Sequence, residues 1–209
     1  MEFRLTYQGC LLSTGNDSRV GKDRRSEHKH NLRSAFHPQL KRLWDVVPAL
    51  KKGGGGGPSV ITVRAEDGYT PPLTKKEMLA KRHTHFGWQF VPLVTSELDL
   101  ICAVDVLFLR PHKPGGIVHQ GDIDGRLKTL LDALTIPDAN QDYETRTAER
   151  NETPFFVLLE NDRLITKVSV ETDQLLEFVS AKPDVNDVRL VITVRIRPYE
   201  IHTGNMHFG

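Results

Sequence analysis

Five apolar residues, Ile123, Leu127, Leu130, Leu131 and Leu134, recur at steps of four, three, one and three. That is the period of a helix with one apolar stripe, which must be covered by another layer of structure to be stable. The spacing therefore predicts an amphipathic helix over this segment, packed on a core.

The tracts around it have a different period. Phe3 to Leu12 alternates Phe3, Leu5 and Tyr7 with Arg4, Thr6 and Gln8, as in a half-buried strand. Phe86 to Val94 and Leu98 to Leu109 are strand-like, and the second is long and rich enough in β-favouring residues to cross a sheet centrally before Arg110-Pro111 stops it. Phe155 to Leu159, Leu164 to Thr172 and Val188 to Ile196 read as further strands, and Ser59 to Arg64 as a short one. A second helix is expected from Pro38 to Leu50, where Leu40, Leu43, Trp44 and Val47 share a face. A third opens at Thr74-Lys75-Lys76-Glu77, which has capping-box spacing, and runs to about Arg82. With no internal repeat and no regular alternation of strand and helix, the order points to an α+β fold, a mixed β-sheet flanked by helices.

The remaining segments are polar. Residues 13–37 are expected to form a basic arm, 51–58 a flexible loop around the five glycines from Gly53 to Gly57, and 135–154 a long loop. No Gly-Lys-Ser/Thr follows the glycines, which excludes a phosphate-binding P-loop. The whole chain, 1–209, reads as a single domain. No apolar run approaches a bilayer span and no signal-like start is present, so a cytoplasmic protein without membrane contact is expected. Cys10 and Cys102 lie in apolar tracts and are read as buried, reduced thiols. Trp44 and Trp88 are read as core residues.

The net charge of +1 conceals an asymmetry. Residues 1–100 hold 16 Lys/Arg against 10 Asp/Glu and residues 101–209 hold 12 against 17, that is +6 and −5. A basic half attracts phosphate and an acidic half attracts metal ions.

The chemistry-bearing residues cluster at the amphipathic helix. Asp122 and Asp124 stand one residue apart at its start, off the apolar face. Paired hard carboxylates suit Mg²⁺ or Mn²⁺, which bind through a few carboxylates plus substrate phosphate. The same acids are also ordinary in a first helical turn, where the macrodipole favours them. Asp162, or Glu160, in the turn between two strand tracts is a candidate third ligand.

The run Asp122-Ile-Asp124-Gly-Arg-Leu-Lys128, continuing into Leu131-Asp132-Ala133-Leu134, resembles the mark of the RusA-type Holliday junction resolvases. Asn161-Asp162-Arg163-Leu164-Ile165 is similar to that family's acidic turn, and together the likeness covers roughly residues 98–175. The chain departs from the pattern at Gly125 and Asn161 and in the length of the loop before the turn. The resemblance implies a homodimeric, Mg²⁺-dependent endonuclease acting on branched DNA in recombination and repair. In it Asp122, Asp124 and Asp162 hold the metal and Lys128 stabilises charge on phosphate. Two other readings stay open: a non-catalytic nucleic-acid or protein binding module on the same fold, and a nuclease with another substrate in a defence or mobile-element system.

Overall fold

The computed structural model describes residues 1–13, 22–51, 73–111, 123–138, 143, 146–177 and 184–208. The glycine-rich loop 51–58, apart from Lys51, and the strand expected at Ser59 to Arg64 lie outside these residues.

The chain runs β1 (Glu2–Cys10), α1 (Lys22–Val46), α2 (Pro48–Lys51), α3 (Lys75–Arg82), β2 (Thr84–His85), β3 (Trp88–Val94), β4 (Leu100–Arg110), α4 (Ile123–Leu134), β5 (Phe155–Leu159), β6 (Ile165–Gln174) and β7 (Asp187–Pro198). Four strands form a mixed sheet in the order β1-β7-β4-β6, antiparallel except where β6 runs parallel to β4. The others form a smaller sheet, β2-β3-β5, in which β3 and β5 are parallel. The fold is α+β, and its larger sheet is mixed.

Strict alternation on β4 places Cys102, Val104, Val106 and Phe108 on the inner face, level with Val188 to Ile196 of β7 and Leu5 of β1. The main core closes between this face, Leu32, Phe36, Leu40 and Trp44 of α1, and Leu130 and Leu134 of α4. β3 and β5 are buried on both sides. Val91, Leu93, Phe156 and Leu158 join the main core, and Trp88, Phe90, Phe155 and Val157 form a second, aromatic cluster with Ile136 and Tyr143. The two tryptophans are therefore core residues, as the sequence suggests.

The basic arm is not an arm. From Lys22 it is the first half of α1, and Pro38 sits inside that helix instead of starting it. The buried face here carries polar groups that give no apolar signal: Ser26, Arg33 and His37 are all buried. The partners of Arg33 and His37 come from far along the chain. The Arg33 guanidinium donates to the carbonyls of Asp132 (2.6 Å) and Thr135 (3.1 Å) at the end of α4. His37 receives the Phe156 amide at Nδ1 (2.9 Å) and donates from Nε2 to the Asn151 carbonyl (3.0 Å). The missing amide of Pro38 removes one helical hydrogen bond, a loss the tertiary contacts override.

The long loop is also more anchored than its composition suggests. Thr135 bridges to Leu159, the Tyr143 hydroxyl meets His30 Nδ1 at 2.8 Å, and Trp88 donates to the Arg146 carbonyl. Tyr143 is buried because its ring packs edge-on against Trp88 in the aromatic cluster. Cys10 also departs from expectation. Both thiols are free, but only Cys102 is buried, and burial pushes it up to about 12. Cys10 follows Gln8 onto the outward side of β1 and is exposed. At α3 the capping box forms as expected, with Thr74 and Glu77 satisfying each other's backbone amides.

Replacing Arg33 by Met takes the guanidinium from the Thr135 carbonyl and leaves the Asp132 carbonyl with the Thr135 hydroxyl alone, which is expected to lower stability by about 1–3 kcal/mol, read as a shift in the urea midpoint; an unchanged midpoint refutes this role. Burial, the largest influence, holds His37 below the usual histidine range, and His28, His30 and His83 are lowered in the same way. Below the ordinary value of about 6.5 the unfolded chain takes up protons that the folded chain resists, so stability is lost as pH falls through that value and is unaffected above it. His37→Asn, which keeps an acceptor for the Phe156 amide, should show a smaller fall in urea midpoint between about pH 7.5 and pH 5.5.

Candidate functional site

The amphipathic helix forms as α4, and its stripe decides what is left facing out. Ile123, Leu130, Ala133 and Leu134 are buried, while Asp124 and Lys128 are exposed one turn apart. Asp122 lies outside the described residues. Gly125 and Arg126 are buried in the same first turn, and the Arg126 guanidinium donates to Asn186 Oδ1 at 2.7 Å. Asn186 is held by Asp184, and Asp184 by Asp187, in the turn that enters β7. This tie fixes the first turn of α4 at the end of the sheet where β1 finishes and β7 begins. Nothing in the periodicity of the sequence marks Arg126 and Asn186 as partners, because they are 60 residues apart.

Asp162 is exposed too, in a short 3₁₀ turn (Asp162–Leu164) whose start is capped by the Asn161 side chain. It stands at the opposite end of the sheet from Asp124. β6 begins with Ile165 beside Cys102 and finishes with Gln174 beside Arg110, a span of roughly 30 Å at about 3.3 Å per residue. The helix agrees in direction: Thr135, just past the end of α4, bridges Leu159, three residues before Asp162, while Asp124 belongs to the first turn, roughly 15 Å from that end at 1.5 Å per residue. Ligands of one Mg²⁺ lie about 2.1 Å from it. The structure therefore does not bring Asp124 and Asp162 together within one chain.

Four acids in these two segments divide by what their carboxylates already do. Asp132 is paired with Lys29 of α1 at 2.5 Å, and Glu160 accepts the Ser96 amide at 2.8 Å, which holds the turn before β4. Asp124 and Asp162 have no ion-pair partner among the described residues, and neither has Lys128. The carboxylates open to a hard cation are thus the two that the sequence motif selects. Among the described residues no group of three or more His, Cys, Asp or Glu side chains is close enough to hold a metal ion.

Part of the positive charge of the first half is committed among the described residues. Arg33 is buried, Lys29 pairs with Asp132, Lys76 pairs with Asp45 at 2.7 Å, and Arg82 pairs with Glu97. Lys75 lies over the Phe208 ring at 5.2 Å, and burial lowers it. On the outer sheet face Asp105 is bracketed by Arg195 and Lys167, and the hydrogen bond from Arg195 is the main cause that holds it below the usual carboxylate range. No helix among the described residues is long and apolar enough to cross a membrane. Comparison with family models, with curated proteins and with solved structures gives no match for this chain.

Proposed function

We propose that this chain is a Mg²⁺- or Mn²⁺-dependent endonuclease of the RusA type, cutting phosphodiesters of branched or otherwise structured DNA. The observation that carries this reading is the division among the acids: Asp124 and Asp162 are open, while Asp132 and Glu160 are spent on structure. In this reading Asp122 and Asp124 bind the metal from the start of α4, and Asp162, which stands apart from them within one chain, reaches the site from the second copy of the homodimer that the resemblance implies. A bound divalent ion supplies an activated water and polarises the scissile phosphate. Lys128, exposed one turn beyond Asp124, sits where its ammonium meets charge developing on a phosphate oxygen. The buried Arg126 holds the helix start in place through Asn186, so the carboxylate and the ammonium keep their spacing.

A second reading is favoured by one observation. The separation of Asp162 from Asp124 within the chain suits a binding module that keeps part of an acidic set without cutting.

Cleavage of a labelled four-way DNA junction, beside linear duplex and single strand, separates the two when run with Mg²⁺, Mn²⁺ or EDTA. The nuclease reading expects metal-dependent cutting that falls by about a hundredfold or more in Asp124→Asn and by roughly a hundredfold in Lys128→Met. Tight junction binding with no cutting by the wild type selects the binding module instead.

A further inference from the structure

Three arginines are buried among the described residues: Arg33, Arg110 and Arg126. Two of them are engaged, Arg33 at the end of α4 and Arg126 with Asn186. Arg110, the last residue of β4, differs from both. Only 6% of it is exposed, and among the described residues its side chain has no hydrogen-bond or ion-pair partner.

The backbone leaves this side chain little choice of direction. Gln174 of β6 stands beside Arg110, whose carbonyl accepts the Leu175 amide at 2.7 Å. The alternation of β4 then puts its side chain on the same inner face as Val104, Val106 and Phe108, the face that α1 and α4 cover. The acids of the turn into β7 do not neutralise it: Asp184 accepts the Asn186 amide and Asp187 accepts the Asp184 amide. A guanidinium taken from water without a counter-charge is costly, and an apolar side chain here avoids that cost.

The position gives the cation a use. Leu109 is level with Arg189, so Arg110 falls level with Val188. Asn186, which Arg126 ties to the first turn of α4, comes two residues before Val188, roughly 7 Å away at 3.3 Å per residue. Arg110 therefore lies at the end of the sheet where α4 begins, on the side that α4 covers. The start of a helix favours anions through its aligned peptide dipoles. A guanidinium adds a planar fork of donors that fits two oxygens of one phosphate.

We propose that Arg110 and the start of α4 form an oxyanion site whose ligand is a phosphate group. The site stands on Arg110 alone. Its source as the backbone of a DNA strand lying beside Asp124 rests on the nuclease reading.

Urea unfolding of the full chain, in EDTA and without DNA, tests the site. In chloride buffer Arg110→Met should unfold at a higher urea concentration than the wild type, because it removes an uncompensated buried charge. Inorganic phosphate should raise the wild-type midpoint along a saturating curve. The midpoint of Arg110→Met should gain only the gradual increment that an excluded salt gives any protein. Arg110→Lys, which keeps the charge and loses the fork, should need about tenfold more phosphate for the wild-type gain. Phosphate curves that coincide for wild type and Arg110→Met, or a wild type that is the more stable of the two without phosphate, overturn the proposal. A short single-stranded oligonucleotide lacking terminal phosphates then identifies the source. Stabilisation of the wild type and not of Arg110→Met places the DNA backbone at the site, whereas a response to inorganic phosphate alone removes DNA as the ligand and leaves the site. A protein that cuts no DNA but keeps the phosphate response loses the nuclease reading and retains the oxyanion site.

Discussion

The guanidinium of Arg33 is buried where the carbonyl end of α4 needs donors. The last carbonyls of a helix have no backbone partner within it, and here those of Asp132 and Thr135 turn toward α1. Arg33 reaches both from α1, and Lys29, one turn earlier, holds Asp132 on the same stretch of α4. The fit of the two helices is thus set by polar groups at one end and by Leu32, Phe36 and Leu130 along the core. Everything exposed on α4 inherits its direction from that contact. Asp124 and Lys128 face outward because the opposite side of the helix is committed to α1 and the sheet.

Commitment of charge runs through the rest of the molecule. Several basic residues that look available in the sequence are consumed by neighbours: Lys29 by Asp132, Lys76 by Asp45 and Arg82 by Glu97. The more exposed pairs of Lys76 and Arg82 contribute little to stability, yet all three decide which charges remain for a ligand. Such subtraction leaves Asp124, Lys128 and Asp162 standing apart from otherwise similar residues close by.

Much of the fold was legible in the chain because its periods are local. Alternation marks β1, β4 and β7, the leucine steps mark α4, and Thr74 with Glu77 marks the start of α3. The first half of α1 was not legible, since its inward face carries Ser26 and also His30, Arg33 and His37, and the partners of these last three lie about a hundred residues away. No helix period can show a pairing of that range. The site was readable in its parts and not in its geometry. Asp124 and Asp162 carry a recognisable pattern, but the parallel run of β6 beside β4 puts them at opposite ends of the sheet, and strand direction leaves no trace in composition or period. Cys10 was misplaced against the local period itself, since the alternation that turns Phe3, Leu5 and Tyr7 inward turns position 10 outward.

The side chain of Gln39 has a further consequence for how such a sheet can grow. An amide that imitates a neighbouring strand at Thr6 blocks the middle of one border of the larger sheet with material from its own helix. A sheet with two free borders can add copies without limit and become a fibre; one that is sealed on one side has a single valence.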